Sequence, residues 1–257
     1  MRRLAWRRVC VAGACLTLLS GCGNGDVDAV GLAPGGLAMD MVAHWRFDEG
    51  SGSAVRDSSG NQHDGTINGS TWSWLAQGRF GGALHLEQGD YVAVDNFPNA
   101  TSSWTVSAWV QIASKDVGIG LVTVISTEDV FKGGWQVNVL ATSEALHYQF
   151  GFWAGPGQSD YPYYECQENC IHLDRWQNVA AVVDASARTL AFYLDGELLG
   201  RVSVPHAILP GVPTLYMGRW ATTNPARLLV GSLDDIAIWG RPLVGSEIAA
   251  LTQAPAP

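Results

Sequence analysis

The chain has 257 residues, of which 15% are charged and 10% aromatic, and it contains 30 glycines. With 24 acidic against 15 basic residues it carries a net charge of −9 at pH 7, a balance that opposes nucleic-acid binding, which draws most of its affinity from Lys and Arg on phosphates. This length suits one large all-β domain, and abundant glycine and aromatics with sparse charge argue against both extended disorder and a helical bundle.

The first residues, MRRLAWRR followed by VCVAGACLTLLSG, form the basic and short apolar regions of a bacterial export signal, expected over 1–21. The apolar run 9–19 is 11 residues, short of the roughly 20 needed to cross a bilayer as a helix. It ends in Leu19-Ser20-Gly21-Cys22, which resembles the lipobox of bacterial lipoproteins. That resemblance implies cleavage before Cys22 and lipidation of its thiol and amine, and two or three acyl chains anchor stably where one is marginal. The alternative is an ordinary secretory signal with a chance cysteine. Gly23 in place of Asp implies, by the same resemblance, the outer membrane where two membranes exist. Loss of Arg2, Arg3, Arg7 and Arg8 takes the basic residues from 15 to 11 against 24 acidic ones, a net of −13. Residues 22–38 read as a flexible tether, 39–252 as the folded unit and 253–257 as a tail.

Beyond the tether, apolar runs of strand length occupy 42–47, 83–86, 91–94, 104–112, 121–126, 135–140, 146–153, 176–183, 189–194, 198–204, 215–218 and 233–239. Many short strands with almost no helix predict an all-β sandwich or barrel. After the first run, FDEGSGSAVRDSSGNQHDG sets carboxylates among glycines and serines. A calcium loop of EF-hand type starting at Asp57 would need Gly at its sixth position and Glu at its twelfth, where Gln62 and Asn68 stand. Asp48, Asp57, Asn61 and Asp64 read more simply as turn formers bonding nearby backbone.

In SWTVSAWVQI, strict alternation puts Trp104, Val106, Ala108, Val110 and Ile112 on one face and Thr105, Ser107, Trp109 and Gln111 on the other. The stretch 150–170, FGFWAGPGQSDYPYYECQENC, is long for a hairpin connection and carries Trp153, Tyr161, Tyr163 and Tyr164 beside Cys166 and Cys170. In an exported chain the two cysteines are expected to pair as a disulfide; a metal or redox pair is the other reading. Aromatic rings on such a loop either offer flat apolar faces to sugar C–H groups or pack as a minor core. Trp220 and Trp135 are further rim candidates, and Trp72 and Trp74 share a face if extended; each singly reads as core. Asp195-Gly196 between two apolar runs predicts a two-residue hairpin turn. In SLDDIAIW, Asp234 alternates with Ile236 and Ile238 and Asp235 with Leu233, Ala237 and Trp239, so one carboxylate is expected to face inward. PLVGSEIAALTQ near the end predicts a short helix with Pro242 in its first turn.

Taken together, VAHWRFDEGSGSAVRDSSGNQHDGTING, GRFGGALHLEQGDYVAV, SWTVSAWV, RWQNVAAVVD with LAFYLDGELLG, and GSLDDIAIWGRPLVGSEIAAL resemble the LamG-like jelly roll of the concanavalin A-like lectin and glucanase architecture. The resemblance implies a two-sheet antiparallel jelly-roll sandwich, one sheet convex and one concave, with a short C-terminal helix. It also implies a structural calcium ion joining the exit of the first strand to the last strand, held by Asp48 and Asp234 with help from Asp57; backbone hydrogen bonding without a metal is the alternative.

Glucanases of this architecture align their catalytic carboxylates through an E-x-D-x-E pattern, which is absent here. Glu128 and Asp129 are adjacent, and Glu165 and Glu168 flank Cys166. The expectation is a lipid-anchored domain of the bacterial cell envelope that binds a glycan or an extracellular protein and performs no chemistry, with Trp153, Tyr161, Tyr163, Tyr164 and Trp220 as its contacts. A glycan-hydrolysing enzyme with an unrecognised site and a structural envelope protein are the alternatives.

Overall fold

The computed structural model describes residues 36–100, 102–113, 120–129, 133–141, 146–152, 154, 161–166, 170–221 and 228–257. The expected signal segment, Cys22 and most of the tether lie outside these residues. In chain order the strands are β1 (Met41–Trp45), β2 (Ala54–Val55), β3 (Gly65–Asn68), β4 (Ser73–Leu75), β5 (Ala83–Leu86), β6 (Tyr91–Asp95), β7 (Trp104–Ile112), β8 (Gly120–Ser126), β9 (Trp135–Ala141), β10 (Leu146–Phe152), β11 (Tyr163–Glu165), β12 (Trp176–Asp184), β13 (Thr189–Leu194), β14 (Glu197–Ser203), β15 (Thr214–Met217) and β16 (Gly231–Trp239), followed by helix α1 (Gly245–Ala250). Every apolar run expected to be a strand is one. Four short strands, β2, β3, β4 and β11, carry no such run.

The strands form two antiparallel sheets. The first has the order β14-β13-β12-β7-β16-β5-β4, with β1 also paired to β16, and the second runs β11-β10-β9-β8-β15-β6-β3-β2. Alternation decides what lies between them. Trp104, Val106, Ala108, Val110 and Ile112 of β7 face Trp135, Val137 and Val139 of β9 and Tyr148, Phe150 and Phe152 of β10, all in one buried cluster. Trp104 and Trp135 lie 4.5 Å apart across the two sheets, with Phe150 5.5 Å from Trp104.

A second apolar cluster covers the outer side of the first sheet. Leu243, Ile248, Leu251 and Ala256 pack on Ala180, Val182, Ala191, Tyr193, Ala237 and Trp239. The helix starts at Gly245, later than Pro242, because Glu247 turns back to accept the Val244 amide at 2.9 Å. Its carboxylate also takes two N–H groups of Arg241, at 2.8 and 2.6 Å. Burial alone would raise the Glu247 carboxyl, but the Arg241 guanidinium and the Val244 amide outweigh it and hold it below its ordinary value. The packed unit is wider than 39–252 at both ends: Trp239 donates to the Leu37 carbonyl at 2.6 Å, and Ala256 is buried where a loose tail was expected.

Strand β16 departs from strict alternation. Its register against β7 shifts between Asp234 and Ala237, and Asp235 adopts φ 45°, a left-handed conformation that Asp tolerates better than most residues. The bulge resets the parity, so Leu233, Ile236 and Ile238 all reach the main core. Neither carboxylate faces that core, contrary to the alternation argument; both are buried on the outer side of the sheet. Asp235 meets Nε2 of His44 at 2.6 Å and accepts the Ala256 amide at 3.0 Å. By contrast Asp195 (φ 50°) and Gly196 (φ 84°) form the expected turn between β13 and β14.

Replacing Glu247 by Ala leaves the Arg241 charge without its partner and the helix start uncapped. We expect a loss of about 3 kcal/mol in urea denaturation; a loss below about 0.5 kcal/mol would show that α1 is held by its apolar face alone.

Candidate ligand-binding face

The side chains of the second sheet that point away from the core form rows across its strands. One row runs Tyr163–Gly151–Gln136–Ser126–Tyr216–Ala93–Thr66 through adjacent register pairs. The neighbouring row runs Glu165–Gln149–Asn138–Thr123. Gly151 has no side chain because the Tyr161 ring lies over it: a Cβ there would stand 2.8 Å from Cε1 of that ring. The Tyr161 hydroxyl accepts from Gln136 Nε2 at 2.7 Å and donates to Glu128 at 3.1 Å. Its ring centre is 6.4 Å from that of Tyr163, which is 52% exposed. The Gln149 amide reaches Glu165 at 3.4 Å. Beneath them Asn138 is fully buried, with neither amide atom hydrogen-bonded.

A second aromatic patch lies on the same face. The Tyr91 and Tyr216 rings are 6.0 Å apart, and the Arg219 guanidinium sits 4.5 Å from the centre of Tyr91 and 5.1 Å from that of Tyr216. Both tyrosines were legible as outward positions, because they alternate with Val92 and Val94 in β6 and with Leu215 and Met217 in β15. Arg219 carried no such signal.

The expected aromatic contacts are divided among three places. Tyr161 and Tyr163 lie on the outward face. Tyr164, next along β11, turns the other way and stacks on Phe192 with ring centres 5.6 Å apart, over the bare backbone of Gly200. Burial raises its phenol above the ordinary value. Trp220 is only 8% exposed and belongs to the interior, and Trp153 lies outside the described residues. Cys166 and Cys170 form the expected disulfide, and Tyr148 donates its amide to Sγ of Cys166 at 3.0 Å.

Asp48, Asp57 and Asp234 do not assemble into the oxygen-rich cage that calcium takes. Asp57 organises the turn-rich stretch after β1, accepting the amides of His44 (2.9 Å), Ser59 (2.9 Å) and His63 (3.0 Å). Burial would raise its carboxyl, and these donors outweigh it and keep it low. Asp48 and Asp234 do reach one loop from opposite sides, but what they meet there is backbone N–H. Asp48 accepts the Gly82 amide at 2.7 Å; Asp234 accepts those of Arg79 at 2.7 Å and Phe80 at 2.8 Å. Among the described residues no three His, Cys, Asp or Glu side chains converge on a point that could hold a metal ion. Asp48, at the first strand's exit, and Asp234, on the last strand, thus meet the same loop through its amides.

A family model described as the concanavalin A-like lectin/glucanases superfamily, of the type Laminin_G_3, matches residues 86–249. The chain belongs to this superfamily. Solved structures agree on the fold at low identity. Domain 4 of AbnA, a GH43 extracellular arabinanase from Geobacillus stearothermophilus, solved in complex with arabinotriose, is 19% identical with a TM-score of 0.61, covering 83% of this chain and 98% of that one. The binding domain of Paraclostridial Mosquitocidal Protein 1 is 16% identical (TM-score 0.67) and that of botulinum neurotoxin DC, in complex with SialylT, 14% (TM-score 0.63); each covers 84% of this chain and 52% of the toxin domain. The chain therefore spans about half the length of those toxin domains. No curated protein matches the sequence.

For this superfamily member two outcomes check the carboxylate assignments. Neither calcium nor a chelator is expected to move Tm, since Asp48 and Asp234 each give an oxygen to loop amides and no third His, Cys, Asp or Glu among the described residues joins them; a shift of several degrees with calcium would contradict this. Burial raises the Asp234 carboxyl from 3.8 to about 7, against the pull of the Phe80 amide and with a further push from Asp235. The folded state therefore keeps a proton that the unfolded state releases between those values, and stability falls as pH rises through that window. Asp234→Asn keeps an acceptor for both amides and cannot ionise. Its stability relative to the parent is expected to grow between pH 4 and 7, by up to about 1.4 kcal/mol per pH unit. A pH-independent difference in urea denaturation would contradict the assignment.

Proposed function

We propose that the domain binds a glycan along the outward face of the second sheet and performs no chemistry on it. The observation that carries this reading is the continuous row from Tyr163 to Tyr216, in which the exposed Tyr163 ring and the half-buried Tyr216 ring bracket the buried Gln136 and Ser126. Four strand spacings separate its aromatic ends, about 19 Å, which suits a chain of several sugar rings better than a single ring. Rings offer apolar faces to sugar C–H groups, while the half-buried Gln149 and Glu165 supply donors and acceptors for hydroxyls.

Strand alternation could align two carboxylates for hydrolysis, yet on β9 the aligned pair two residues apart is Gln136 and Asn138. Carboxamides do not supply a general acid or a nucleophile at neutral pH. The arabinotriose and SialylT complexes of the structural neighbours support a glycan ligand. The export signal and the lipobox-like Cys22 support a place at the bacterial cell envelope, held to the membrane by acyl chains.

Tyr163→Ala and Gln149→Ala test the reading, since both side chains reach solvent and cost little stability. Glycans that bind the parent on an array, with arabinotriose included as a named probe, are expected to bind each variant about tenfold more weakly at unchanged Tm. Parent-like binding by both variants, or release of reducing sugar from a bound glycan, would overturn the proposal.

A further inference from the structure

Helix α1 and its second apolar cluster cover only part of the outer side of the first sheet. The row Ala180–Ser107–Ala237 lies where that cluster packs; the next row is Asn178–Trp109–Asp234, and the one after it begins Trp176–Gln111–Ser232. In the row Asn178–Trp109–Asp234 each residue is buried and each retains a polar atom without a hydrogen-bond partner: Asn178 Oδ1, Trp109 Nε1 and Asp234 Oδ1. Trp109 lines an open cavity of about 400 Å³ whose walls include Arg79, Arg175, Trp176 and Asp195.

The loop held by Asp234 places Arg79 at this cavity. Its guanidinium sits 4.5 Å from the centre of the Trp109 ring and 4.9 Å from that of Phe80, and one of its N–H groups is given to the Thr252 carbonyl at 2.9 Å. The remaining N–H groups of a fixed guanidinium are ready-made donors for a planar anion. Arg175, which also lines the cavity, is exposed. Asp195, the carboxylate in the same wall, has Oδ1 engaged by the Asn178 amide at 2.8 Å. In a chain with 24 acidic and 15 basic residues, two guanidiniums at one mouth beside two indoles are a local reversal of charge.

We propose that this cavity is a second binding site, for a carboxylate-bearing sugar such as a hexuronate unit of an acidic glycan. The carboxylate sits between Arg79 and Arg175, the buried Trp109 N–H supplies a directed donor, and the half-buried Trp176 offers its face to the sugar ring. The site lies on the opposite sheet from the Tyr163 face and does not depend on it, so both can be occupied at once.

Titration of the purified protein with trigalacturonate and with its neutral methyl ester, followed by calorimetry, tests this. The acid is expected to bind, more weakly as salt rises, and the ester not to bind. Arg175→Gln, an exposed change whose folding is checked by Tm, is expected to weaken binding about tenfold or more, while Tyr163→Ala leaves it intact. Absence of binding, equal binding of acid and ester, parent-like binding by Arg175→Gln, or loss of binding in Tyr163→Ala would each overturn the proposal; the last would assign the acid to the other sheet.

Discussion

Two adjacent buried carboxylates at a bulge in β16 hold the rest of the molecule in place. This strand pairs with β7, β1 and β5 and is buried along its whole length. An isolated buried carboxylate is costly, so each of the two is matched with donors. Asp235 binds the first strand through His44 and the last residues through the Ala256 amide. Asp234 takes two successive amides from the loop before β5 and thereby sets Arg79 against Trp109. Without the bulge, strict alternation would send Leu233 and Ile236 to opposite faces and one of them out of the core.

The two sheets are thereby given different outer surfaces. Leu37, the C-terminal residues and α1 close over much of the first sheet, leaving the Trp109 cavity at one side. The second sheet instead presents rows of alternating outward residues, and two glycines decide which tyrosines join them. Gly151 leaves room for Tyr161 above the strand, whereas Gly200 admits Tyr164 toward Phe192. A methyl group at either position would meet the ring now lying there, so the choice of glycine in β10 and β14 shapes the face as much as the tyrosines themselves do.

Much of this was legible in the sequence, because period-two alternation over β7, β9 and β10 states both the strand and its buried face. The Asp195-Gly196 turn, the Cys166–Cys170 pair and the C-terminal helix were equally readable from local chemistry. The bulge was not: Asp-Asp within an apolar strand gives no sign of an extra residue, and a one-residue shift moves every side chain after it. Strands β2 and β3 hide in a stretch of Gly, Ser and Asp because they are short, pair with each other across its turns and join the sheet through β6. The amide partners of Asp48 and Asp234 were hidden for a related reason, since a carboxylate bonded to an amide from another segment looks the same in sequence as one free to bind a metal. Arg79 and Arg219 became interesting only once the fold placed rings beneath them.

A glycan on the outward face of the second sheet would touch the groups that line it. Chemical-shift mapping of the isotope-labelled protein with a bound glycan tests this contact most directly. The amides of Gln149, Gly151 and Tyr163 and the side-chain amide of Gln136 are expected to move together on titration. Shifts confined to the first sheet and α1, with those four signals unmoved, would contradict it.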